Sequence, residues 1–120
     1  MRVLIIMVFV LSITSVMAQF TNHRSLLIFA DNAHHSLAQK QLDLLNKDSA
    51  AVAEREVKVT VIEEKSSLYD KYKIKAEQFT VILVGKDGYE KYRCNKLLQM
   101  DDLFAIIDAM PMRKREMGKN

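Results

Sequence analysis

Phe79-Thr80-Val81-Ile82-Leu83-Val84-Gly85-Lys86-Asp87-Gly88 is the stretch that decides the fold class. Its first part, Phe79 to Val84, carries no charge and is rich in β-branched residues, so it reads as a strand apolar on both faces. Such a strand belongs in the middle of a sheet with helices above and below. Gly85 to Gly88 then turns the chain, and Tyr89 to Asn95 alternates charged positions with aromatic or Cys positions. A strand that follows so closely pairs antiparallel, and its charges mark it as an edge. Beyond it, Asp101 or Asp102 is placed to cap a helix with the apolar stripe Leu103, Phe104, Ile106, Ile107 and Met110, which Pro111 is expected to kink or restart.

Working back toward the N-terminus, Ser25-Leu26-Leu27-Ile28-Phe29-Ala30 is a short apolar run closed by Asp31-Asn32, a buried strand ending in a turn. From His34 to about Glu56 there is no Gly or Pro, and Ala38, Leu42, Leu45, Ser49 and Val52 recur at helical spacing. One long helix is expected, with Asn46-Lys47-Asp48 as the place where it would break. Val57, Val59 and Val61 form the alternating pattern of a second strand, and Ser66 or Ser67 caps a short helix carrying Leu68, Tyr72 and Ile74. That helix is expected to return the chain parallel to the second strand. The order is therefore β-α-β-α-β-β-α, which matches an α/β, thioredoxin-like fold with a four-stranded mixed sheet and helices on both faces.

The chain has 120 residues, with eighteen Lys+Arg against fifteen Asp+Glu, one Cys, one Pro and three Gly. These numbers allow one small domain and exclude a disulfide-stapled miniprotein, a Cys-rich zinc module and a low-complexity tail. Arg2, the apolar run Val3 to Leu11 and the ending Val16-Met17-Ala18 read as a secretory signal peptide over residues 1–18, cleaved after Ala18 to leave residues 19–120. An uncleaved anchor is the competing reading, but Ser12, Thr14 and Ser15 interrupt the run well before the ~20 apolar residues a span needs. Cleavage removes only Arg2 among the charges, so the mature chain stays near charge balance and carries no nucleic-acid footprint. The expected location is the periplasm or the outside of the cell, with no transmembrane span after cleavage.

The sequence also resembles the family known as domain of unknown function 4174, small exported proteins. The likeness rests on Leu26-Leu27-Ile28-Phe29-Ala30, on Ala53-Glu54-Arg55, on Phe79 to Gly88, and on Leu103-Phe104-Ala105-Ile106-Ile107-Asp108-Ala109-Met110-Pro111-Met112-Arg113. It implies a thioredoxin-like or peroxiredoxin-like fold and brings no established reaction or ligand with it.

Thioredoxin-type chemistry needs a thiolate at the start of the first helix, where the helix N-terminus lowers the thiol pKa, and a second Cys to resolve the mixed disulfide. Here that place holds Asp31-Asn32-Ala33-His34-His35, and Glu77-Gln78-Phe79 stands where redox relatives usually show a Pro before the third strand. Neither a Cys-x-x-Cys pair nor a peroxidatic Cys is present. The one thiol, Cys94, lies between Arg93 and Asn95 with Lys91 nearby. Adjacent cations would favour a reactive thiolate or an intermolecular link, whereas its shared parity with Tyr92 points it toward the last helix as a structural residue.

His23, Asp31, His34 and His35 are residue types that bind zinc, but neighbouring helical residues project about 100° apart, so a solvated helix start is the plainer reading and no metal is expected. The loop carrying Asp31, Asn32, His34 and His35 nevertheless ends the first strand, where open α/β sheets place their ligands, and is the candidate contact for a protein or small-molecule partner. The basic end, Arg113-Lys114-Arg115 with Lys119, either complements a helix dipole or contacts an anionic surface. The residues thus point to an exported, non-catalytic binding or structural module without cofactors. The alternative is a single-thiol redox protein using Cys94 with an external resolving partner. Strand addition through the edge from Tyr89 to Asn95 would make a homodimer.

Overall fold

The computed structural model describes residues 20–75 and 77–118. The signal segment and Lys119 lie outside the described residues. Four strands form one sheet in the order β2-β1-β3-β4: β1 (Arg24–Phe29), β2 (Val57–Ile62), β3 (Thr80–Val84) and β4 (Glu90–Cys94). β1 and β2 are parallel, β3 is antiparallel to β1, and β4 is antiparallel to β3. This is an α/β fold with a four-stranded mixed sheet, in the order and directions of the thioredoxin-like class.

The two central strands follow from composition. Every residue of β3 is buried, as is every residue of β1 except Ser25. Leu26, Ile28, Val81 and Leu83 pack on one face against Ala38 and Leu45 of α1 (His35–Lys47), Val52 of α2 (Ser49–Glu54), and Leu103 and Ile107 of α4 (Met100–Asp108). The opposite face, with Leu27, Phe29, Ile62, Ile82 and Val84, is covered by Leu68, Tyr69, Tyr72 and Ile74 in and after α3 (Leu68–Lys71). Tyr69 meets the Phe29 ring edge-on at 5.1 Å. Each fully buried side chain of this kind contributes about 1.5–3 kcal/mol, so both faces hold the sheet.

Several expectations are corrected. The chain does not return parallel after β2, because β3 runs against β1. α3 has four residues and spans only ~6 Å, too short to carry the chain back along a strand of ~20 Å, so the chain re-enters the sheet at the end it left. The long helix is two helices, broken at Asp48 with φ −115° and ψ 33°. Asn46-Lys47-Asp48 marks the place, since its Asn and Asp compete with the helical backbone for hydrogen bonds.

The last helix is preceded by Gln99 rather than capped by Asp101 or Asp102, which lie in its first turn and favour its dipole there. Pro111 restarts the chain as α5 (Pro111–Glu116), taking a helix-start position that needs no N–H. Ser66 accepts the Leu68 N–H through its Oγ at 3.1 Å. β4 spans Glu90–Cys94, within the expected Tyr89 to Asn95, and Gly88 supplies the positive φ of 85° that the turn before it needs. Among the described residues no helix is long and apolar enough to cross a membrane.

Candidate functional site

The parallel strands β1 and β2 end at one rim of the sheet, and the loop after β1 occupies it. Asp31 caps a single 3-10 turn (Asn32–His34) that leads into α1, its Oδ1 accepting the His34 N–H at 3.0 Å. The same oxygen lies 2.6 Å from His34 Nδ1. An ionised carboxylate only accepts, so Nδ1 carries a proton toward it, on a ring that stays partly exposed. The Asn32 N–H donates to Glu64 Oε1 at 3.0 Å, tying the loop to the segment after β2.

An open depression of about 350 Å³ lies here, lined by Asp31, Glu64, Lys65 and Tyr69. The Tyr69 hydroxyl is buried at this place, beside the Ala30 backbone at the end of β1. Burial, followed by the Glu64 and Asp31 charges, pushes its pKa up, which keeps it a neutral donor.

Of the four loop residues singled out in the sequence, Asp31 and His34 are joined, Asn32 is bound through its backbone, and His35 is exposed at the start of α1. His23 is not part of the group, because it precedes β1 at the opposite rim. Among the described residues no group of three or more His, Cys, Asp or Glu side chains is placed to hold a metal.

Cys94 ends β4, in register with Val81 and, through it, Ile28. It therefore stands at the same rim as the loop, two strand spacings or about 10 Å away. It is half-buried against the α4 side of the sheet, and its Sγ–H donates to the Lys96 carbonyl at 3.2 Å. Burial pushes the thiol pKa up and outweighs the opposing effects of the Lys96 backbone and charge. The cations beside it in sequence serve other groups. Lys91 Nζ binds Asp87 at 2.7 Å, and Arg93 binds Glu90 and the Tyr72 carbonyl.

A second constellation, at the opposite rim, was not foreseen from the sequence. Arg24 is 1% exposed at the start of β1, and its guanidinium grips both oxygens of Glu116 at 3.2 Å and the Arg55 carbonyl at 2.8 Å. Lys86 bridges Glu56 at 2.9 Å and Glu116 at 2.7 Å. Asp108 receives Arg55 and Arg113, while Arg55 also lies over the Phe104 ring at 4.1 Å.

Arg113 is buried between Asp108 and Glu54, so the C-terminal basic run is not a uniform solvated stripe. Glu54, Arg55, Lys86, Asp108 and Arg113 all come from the segments that carry the family resemblance, and folding gathers them at one end. Beside them lies a cavity of about 260 Å³ lined chiefly by Met110, Pro111, Met112 and the Gly85 to Asp87 turn. Its neighbouring cations are already paired with carboxylates, so the cluster fastens elements together rather than presenting free charge.

Among curated proteins none matches this chain in sequence. A solved structure described as that of a malarial protein is similar in fold, with a TM-score of 0.52 and 18% identity over 72% of this chain and 96% of that one. The family model of a domain of unknown function, DUF4174, matches residues 16–116, and the chain belongs to that family.

Proposed function

We propose that this protein is an exported, non-catalytic thioredoxin-like module that binds a protein or small-molecule partner at the rim formed by Asp31, Asn32, His34 and His35. The observation that carries the reading is the content of the first helix start. Where disulfide chemistry requires a thiolate, the chain holds an Asp31–His34 pair beside an open depression. The exposed Asn32 and His35 side chains and the partly exposed His34 ring make a rim suited to recognising polar groups by hydrogen bonding. Export rests on the apolar segment before residue 19 and its small-residue ending.

The single-thiol alternative draws less support, because burial disfavours the Cys94 thiolate and the neighbouring cations are engaged elsewhere. The test is the pH dependence of Cys94 alkylation in the folded protein, together with insulin reduction and peroxide consumption. The module reading expects slow labelling with a midpoint above the ordinary ~8.5 and no turnover. A low midpoint, or activity lost in Cys94→Ser, would replace it with the redox reading.

A further inference from the structure

The two edges of the sheet are built differently. β4 is short, its register shifts between Leu83 and Val84, and its exposed side chains include Glu90, Lys91 and Arg93. A bulged, charged edge resists pairing with another strand. β2 has none of these protections. Its six residues, Val57-Lys58-Val59-Thr60-Val61-Ile62, keep an unbroken register with β1, contain one charge, and have no described strand on their other side. Val61 is 44% exposed, a β-branched apolar side chain left in solvent on that edge.

We infer that β2 pairs antiparallel with β2 of a second copy of this chain, making a continuous eight-stranded sheet. The occupant follows from symmetry and charge. A two-fold axis perpendicular to the sheet keeps like faces together, so only residues of equal parity lie opposite each other. With the axis at Thr60, Val59 faces Val61 of the other copy on one side, covering the exposed valine, and Lys58 faces Ile62 on the other.

Lys58 is then diagonal to Glu64 of the other copy, on the same face and within reach of a long side chain, while Glu56, which comes opposite that Glu64, is already paired with Lys86 of its own chain. Lys58 makes no ion pair within its own chain among the described residues. The antiparallel arrangement therefore supplies two cross-copy ion pairs. A parallel pairing would instead set Glu63-Glu64 against the same pair and would not close on itself.

The experiment is sedimentation equilibrium on the protein as its host processes it, from micromolar to millimolar concentration. A concentration-dependent dimer is expected. Lys58→Glu should weaken it by about tenfold, the scale of two exposed pairs turned repulsive, and adding Glu64→Lys should restore it. Val61→Lys should abolish it while far-UV dichroism stays unchanged. Should Val61→Lys fail to fold, the Lys58 and Glu64 swap decides, since both side chains are exposed and the contact that Glu64 gives up within its own chain, the Asn32 N–H, is read separately in Glu64→Lys alone. A monomer at every concentration, or a dimer indifferent to these changes, overturns the inference.

Discussion

Gln41 is the residue whose role is most easily misread. It is fully buried in α1, where an apolar side chain would be expected, and its amide spans the Leu98 backbone, donating to the carbonyl at 2.9 Å and accepting the N–H at 2.8 Å. Its side chain thus meets both backbone groups of one loop residue, as a neighbouring strand would. Gln41→Leu keeps the size and leaves two buried backbone groups unmet, each worth about 1–3 kcal/mol. We expect a loss of about 3 kcal/mol, read as a lower urea midpoint with an unchanged slope. A neutral result would mean that the loop finds water instead.

Helix ends dominate at the element scale. α3 closes with the Lys73 N–H on the Asp70 carbonyl at 3.2 Å and the Ile74 N–H on the Tyr69 carbonyl at 2.8 Å, with Lys73 at φ 54°. That is the left-handed cap in which glycine is preferred, and Lys73 occupies it without an ion pair among the described residues to offset the strain. Lys73→Gly should therefore raise stability by about 0.5–1 kcal/mol in thermal or urea unfolding. α5 depends on different forces: Glu116 ties it to Arg24 and Lys86, and Arg113 ties it to Asp108 and Glu54. Removing the carboxylate with Glu116→Ala strands a buried guanidinium and should cost about 3 kcal/mol, whereas Arg24→Met leaves Glu116 with Lys86 and should cost less. Equal losses would show that packing of the helix, not charge pairing, secures it.

For the whole molecule, these pairs set the response to pH. Burial alone would raise the Glu116 pKa, but hydrogen bonds from Lys86 and Arg24 bring it below its ordinary value, and Arg55, then Arg113, lower Asp108 despite its partial burial. A carboxylate depressed in the folded state contributes stability that is complete above its unfolded pKa of ~4 and is lost as pH falls through the folded value. Lys86 behaves oppositely. Burial opposes its charge, yet Glu116 and Glu56 raise its pKa on balance, so its contribution holds below ~10.4 and fades as pH rises beyond. Stability should be flat through neutrality and fall below about pH 4, and Glu116→Gln should flatten that acid limb in denaturation measured from pH 7 to pH 2. An unchanged limb would assign acid unfolding to other carboxylates.

By itself the sequence determined the elements whose signal is local. Phe79 to Val84 is a central strand because a run without charge cannot face water on either side, and Pro111 marks where the preceding helix must kink or restart, the restart itself being set by the fold. The break at Asp48 was legible as a place but not as an outcome, since its strength depends on how α1 and α2 each pack on the sheet. The end of α3 was less legible, because Lys73 carries a backbone role that glycine would have announced. At the candidate site the loop could be located in the chain, but the Asp31–His34 contact and its link to Glu64 could not be read from it. The tertiary structure alone decided that β3 runs against β1, that Cys94 is shielded, and that Arg24, Arg55, Lys86 and Arg113 share carboxylates at one end. Those outcomes join side chains far apart in the chain, and no local pattern of hydrophobicity or charge encodes which distant partner will neutralise a buried cation.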